Sequence, residues 1–192
     1  PGAAEKVVYP FGYGLSYTSF DVETVSAGVV NSNCTSETNK LYAKVRVTNT
    51  GKFSGKEVVQ VYIAKPQGKL GKPAKELVAF EKTRELQPGE SQLMILTWEI
   101  NDMASYDDLG KVKKSAYVLE AGSYDIYVGT SVRDVTKADY SYILNHDVIT
   151  EQLSAKLVPT SLPKRMLADG SYEALPQSEP VDTDYSAIGN ID

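Results

Sequence analysis

At 192 residues the chain is long enough for one well-packed domain and too short for two full ones. Its 42% hydrophobic and 23% charged residues exclude a wholly disordered or collagen-like chain, and no apolar run approaches the roughly 20 residues that a membrane-spanning helix needs. A formal net charge of −5 argues against a nucleic-acid partner, and the single cysteine, Cys34, cannot close an internal disulfide.

The opening residues, Pro1 to Pro10, hold neither an initiator methionine nor the apolar stretch of a signal peptide. They read as part of a longer chain, so the localisation is unknown from sequence. From about residue 20 to about residue 146, apolar and polar residues alternate with period two between turn residues, the pattern of half-buried antiparallel strands. Leu41, Ala43, Val45 and Val47 alternate with Tyr42, Lys44, Arg46 and Thr48, and Asn49-Thr50-Gly51 supplies a turn. Val58 to Ile63 places Val59, Val61 and Ile63 on one side and closes on a Gly-, Lys- and Pro-rich loop, Pro66 to Pro73. Glu76 to Leu86 is the next strand. In Leu86-Gln87-Pro88-Gly89-Glu90 the proline is preset for a bend and the glycine is free to take positive φ. Ser91 to Ile100 then sets Leu93, Ile95 and Thr97 against Met94, Leu96 and Trp98, and apolar groups on both faces predict a central strand.

Asp102 to Leu109 reads as a short helical turn or an irregular stretch, and Gly110 to Ser115 as a basic loop. Tyr124 to Thr130 is the last strong strand. The spacing of Leu119, Gly122 and Tyr124 fits a corner in which the phenol bonds back to upstream backbone. Asp139 to His146 adds an edge strand. The fold class expected is all-β: a two-sheet antiparallel immunoglobulin/fibronectin type III-like sandwich with extended N- and C-terminal segments. After His146 the composition changes: four of the nine prolines fall at positions 159, 163, 176 and 180, and no lysine or arginine follows Arg165. Such a stretch is linker-like, packing along the sandwich through Leu153, Leu157, Leu162, Met166 and Leu167 or connecting to a further domain.

Tyr9-Pro10-Phe11-Gly12-Tyr13-Gly14-Leu15-Ser16-Tyr17-Thr18-Ser19-Phe20 resembles the P-F-G-x-G-L-S-Y-T-x-F signature that closes the second, α/β domain of family 3 glycoside hydrolases of the β-glucosidase kind. Asn49-Thr50-Gly51, Glu57 to Tyr62, Pro73 to Leu77, Phe80-Glu81-Lys82, Leu86 to Glu90 and Gly122-Ser123-Tyr124 are similar to later landmarks of that family, in order, from about residue 9 to about 146. Tyr13 departs from the histidine of many relatives. The resemblance implies three segments: residues 1–20 as the exit of an α/β domain, 21–146 as a fibronectin type III-like sandwich, and 147–192 as an acidic, Pro-rich extension. Because that extension exceeds the family's usual end, it implies a parent in which a barrel domain follows the sandwich. The resemblance also implies that the aspartate nucleophile and the glutamate acid/base lie in segments outside this chain, so no catalytic residue is assigned.

The residues support the same reading. Retaining glycosidases need two carboxyls about 5 to 5.5 Å apart across a cleft. Asp107-Asp108 and Asp182-Thr183-Asp184 are sequence neighbours and are expected to be solvated charge. His146 is the only histidine and lacks a nucleophile motif or a second metal ligand beside it. Cys34 sits in a polar loop as an inert thiol, and Asn33-Cys34-Thr35 formally matches a glycosylation sequon. No cofactor and no metal is expected.

The function expected is that of a non-catalytic structural and docking module whose partners are the catalytic domains of a parent glycosidase. The basic loops Lys65 to Lys75 and Lys111 to Lys114 are candidates for the edge near an active-site mouth, with plain solvated loops as the alternative. Residues 1–20 are expected to strap over the sandwich and cover the aromatics Tyr9, Phe11, Tyr13 and Tyr17. The alternative function is oligosaccharide binding, in which Tyr42, Tyr62 and Tyr127 would form an exposed aromatic platform; Trp98 and Tyr124 instead suit the core.

Overall fold

Through 40–49, 91–99 and 122–129 apolar residues fall at alternate positions, and each of these runs forms a strand. The computed structural model describes residues 6–30, 39–154, 163–167 and 170–175. In chain order the strands are β1 (Phe20–Val29), β2 (Lys40–Asn49), β3 (Val58–Ala64), β4 (Glu76–Lys82), β5 (Ser91–Glu99), β6 (Ser105–Asp107), β7 (Ala116–Leu119), β8 (Gly122–Gly129), β9 (Val135–Leu144), β10 (Val148–Gln152), β11 (Lys164–Met166) and β12 (Tyr172–Ala174). A single 3₁₀ turn, Ile100–Met103, follows β5.

Two sheets make the sandwich, one in the order β1-β2-β5 and one in the order β4-β3-β8-β9, all pairs antiparallel. Their inner faces share one core. Leu41, Ala43, Val45 and Val47 of β2 and Met94, Leu96 and Trp98 of β5 come from the first sheet, and Val59, Val61 and Ile63 of β3 and Tyr124, Ile126 and Val128 of β8 from the second. Each fully buried Val, Leu or Ile contributes about 1.5–3 kcal/mol relative to leaving it in water, which is what allows a chain without a disulfide to hold this shape. The β4–β5 connection turns where expected: Glu90 N–H donates to Gln87 O (2.9 Å) and Gly89 takes φ +79°.

The sequence placed β5 in the middle of a sheet. Among the described residues it is an edge strand, paired only with β2. Leu93 and Ile95 point away from the core opposite Arg46 and Lys44 and remain 49% and 59% exposed. Alternation fixes which residues share a face of a strand and leaves the number of neighbouring strands open.

Between β5 and β8 the chain adds β6 and β7, which β10 joins in a small sheet of order β10-β7-β6, and β10 lies inside the stretch that reads as linker. A hairpin, β11-β12, is tied to it by ions: Arg165 Nη1 donates to both Asp108 oxygens (2.9 and 3.0 Å), and Lys111 Nζ sits 3.0 Å from Glu173 Oε2. Leu157 and Leu162 lie outside the described residues.

Candidate functional site

On β3 the core takes Val59, Val61 and Ile63, so Gln60 and Tyr62 must face outward, yet both are buried at 5% and 1% exposure. What covers them is the chain before β1. Gln60 Nε2 donates to Gly12 O (2.9 Å) and to Thr130 O (2.6 Å), while the Tyr62 hydroxyl donates to Gln60 Oε1 (2.5 Å). Phe11 meets the Tyr62 ring edge-on with centroids 6.5 Å apart, and Val132 N–H donates to Phe11 O (3.0 Å). Gly12 has φ +80°, and a Cβ there would overlap Gln60 Oε1, so this position requires glycine. Residues 9–13 thus form a strap latched to the outer face of the four-stranded sheet. Sequence reasoning missed the latch, although a lone glutamine inside the apolar run Val58–Ile63 was its signal.

The strap does not bury its own aromatics. Tyr9, Phe11, Tyr13 and Tyr17 stay 68%, 64%, 47% and 98% exposed, contrary to the expectation that strapping would cover them. Phe11 keeps its edge contact with Tyr62, and most of the surface of these rings is left to solvent.

The three tyrosines read as sugar contacts do not come together. Tyr42 lies on β2 in the other sheet, and Tyr62 is sealed beneath the strap because its hydroxyl and one ring edge are taken by Gln60 and Phe11. Tyr127, directly across from Tyr62 on β8, is half-buried with the Lys75 ammonium 4.9 Å from its ring centroid. A different aromatic pair is exposed. Tyr106 and Tyr117 oppose each other on β6 and β7 with centroids 5.4 Å apart and exposures of 42% and 38%.

The ionisable groups are bound up in holding loops. Asp107 is fully buried where solvated charge was expected, because its carboxylate accepts the N–H groups of Gly110, Lys111, Val112 and Lys113 at 2.7–3.0 Å. Burial opposes its charge, but the four donors outweigh it and hold the carboxyl below the usual aspartate range. Asp108 turns to Arg165 instead, so the adjacent acids do not face each other. The basic loop is half internal as well: Lys65 pairs with Glu76 (2.7 Å), and Lys72 pairs with buried Glu120, whose oxygens also accept the N–H groups of Lys69 (2.6 Å) and Leu70 (3.1 Å). His146 is exposed, while Cys34, its sequon, Asp182 and Asp184 lie outside the described residues. Among the described residues, no three His, Cys, Asp or Glu side chains gather to hold a metal.

The corner anticipated before β8 is present: the Tyr124 hydroxyl donates to Glu120 O at 2.8 Å. Burial, chiefly, pushes that phenol well above its ordinary range. Residues 57–132, which span β3 through β8, match the fibronectin type III-like domain. The β-glucosidase A of Butyrivibrio fibrisolvens is 59% identical over 98% of this chain and 24% of its own length. The chain carries the fibronectin type III-like domain of family 3 glycoside hydrolases. Among solved structures, a β-glucosidase from Paenibacillus barengoltzii superposes with a TM-score of 0.79 at 44% identity, over 92% of this chain and 20% of that one. A GH3 β-glucosidase of Bifidobacterium adolescentis gives 0.57 at 30% identity, over 72% and 18%. The chain spans about a quarter or less of the length of these relatives. Among the described residues, the strap, with Tyr9 and Tyr13 5.4 Å apart, and the small sheet, with Tyr106 and Tyr117, are where exposed aromatic rings meet.

Proposed function

We propose that this chain is a non-catalytic module of a longer glycosidase, docking on the catalytic domains and holding their placement. The observation that carries the reading is the employment of the buried ionisable groups. Asp107, Glu120, Lys65 and Lys72 are each taken up by a loop or a partner side chain, so each is a brace. Divisions at residues 20 and 146 and a barrel following the sandwich belong to the same proposal. The test is hydrolysis of p-nitrophenyl β-glucoside by the pure 192-residue chain. No turnover above buffer is expected; turnover abolished by one carboxylate substitution would overturn the reading.

One observation favours oligosaccharide contact as a second reading, namely the exposed Tyr106–Tyr117 pair, since aromatic faces stack on sugar rings. Calorimetric titration with cello- and xylo-oligosaccharides decides it. Heat that disappears in Tyr106→Ala and Tyr117→Ala supports the pair as a sugar contact, and flat traces for the unsubstituted chain dismiss it.

A further inference from the structure

We propose that the strap-bearing face of the four-stranded sheet, centred on Phe11 and Phe80, is the surface against which the catalytic body of the longer glycosidase seats. This rests on the docking reading above and adds where the docking occurs. Phe80 is 69% exposed and stands directly across the β3–β4 pair from Gln60, the residue that latches the strap, so Phe80 and the strap share one face.

Residues 7–17 contain no acidic or basic side chain, and they hold seven of the nineteen large apolar residues exposed among the described residues. An uncharged apolar run of this kind costs free energy in water and is the composition of an interface centre, where tyrosine and phenylalanine are enriched and charge is depleted. The latch fixes the run in place. Gln60 commits both ends of its amide beneath the strap and Gly12 closes the fit, so Phe11 is fixed against the edge of Tyr62 with most of its ring still in solvent. A pre-ordered anchor loses less entropy on docking than a mobile one.

The opposite outer face is built for water. There Leu93 and Ile95 stand opposite Arg46 and Lys44, and Arg46 pairs with Glu23 at 2.7 Å with both side chains about half exposed. The strap itself carries no such charge between residues 7 and 17, and the charged pair of its sheet, Lys137 with Asp125 at 2.7 Å, lies to one side on β8 and β9. In the relatives three quarters or more of the polypeptide lies outside the matched segment, which supplies an occupant of sufficient size. A second copy of this chain would bring its own net charge of −5 against the first, so it is the less favoured occupant. The strap therefore fits an uncharged, apolar patch on the catalytic body.

The test is hydroxyl-radical footprinting read residue by residue, on the 192-residue chain and on the longer glycosidase that contains it. Oxidation of Phe11, Tyr13 and Phe80 is expected to slow at least about fivefold in the longer protein, as for rings that enter a packed interface core, with Leu93 and Ile95 unchanged. Protection of Leu93 and Ile95 with Phe11 and Phe80 unchanged would overturn this surface while leaving docking intact. Protection nowhere on the module would remove docking and surface together. Protection of Phe11 in the isolated chain that grows with its concentration would replace the catalytic body with a second copy.

Discussion

The Tyr124 hydroxyl donates to the carbonyl of Glu120, and the carboxylate of that same Glu120 receives the Lys72 ammonium. One residue therefore joins the corner of the sandwich to the basic loop 66–73. Replacing Tyr124 with phenylalanine keeps the ring and leaves the buried carbonyl without its phenol partner. It is expected to cost about 1–3 kcal/mol in urea unfolding with an unchanged denaturant slope.

The other half of the joint is ionic. Lys72→Met strands the Glu120 carboxylate in a buried site and is expected to cost about 3–5 kcal/mol by the same urea measurement. The double variant Lys72→Met with Glu120→Gln removes the stranded charge and is expected to recover part of that loss. Recovery stays incomplete because a glutamine amide cannot accept the Lys69 and Leu70 N–H groups with both of its ends.

Asp107 makes stability depend on pH. Its folded-state pKa is lowered, so its stabilisation is fully present above the unfolded value of about 3.9 and is lost as pH falls through the folded value. In Asp107→Asn one amide end cannot accept an N–H. That variant is expected to lose about 1–3 kcal/mol near neutrality and to show a flatter fall in urea midpoint below about pH 4 than the unsubstituted chain.

Gly12→Ala tests the latch. The added methyl meets Gln60 and the φ of +80° disfavours any side chain, so the strap is expected to lift and Tyr62 to become accessible. Radical oxidation of Tyr62 should rise in Gly12→Ala and also in Gln60→Ala, with a loss of about 1–3 kcal/mol in urea unfolding because both Gln60 and Tyr62 are buried. An unchanged Tyr62 in both variants would mean that something other than the latch holds the strap.

Where the physics was local, the sequence was enough. The alternation of Leu41 to Val47, the Pro88-Gly89 turn and the Glu120–Tyr124 corner each depend on residues a few positions apart, and each is found where it was read. The misjudged polar groups share one cause. Lys72 finds Glu120 at a separation of 48 residues, Gln60 finds Gly12 at the same separation, and Asp108 finds Arg165 at 57. Taken alone, each looks like ordinary surface polarity. Tyr62 was misread for the same reason, since alternation assigns it to the outer face and only the folded strap shows that this face is covered there. The family resemblance reached further than periodicity because its motifs, such as Pro10-Phe11-Gly12, carry the strap itself.

The most direct measurement of the docking account is the lifetime of glycosidase activity at a raised temperature in the longer protein, in the same protein lacking this module, and in the latter with the 192-residue chain added back. The account predicts a short lifetime without the module and a lifetime restored by the added chain in proportion to binding. A truncated enzyme that outlasts heating as well as the complete one, and is indifferent to the added chain, would contradict it.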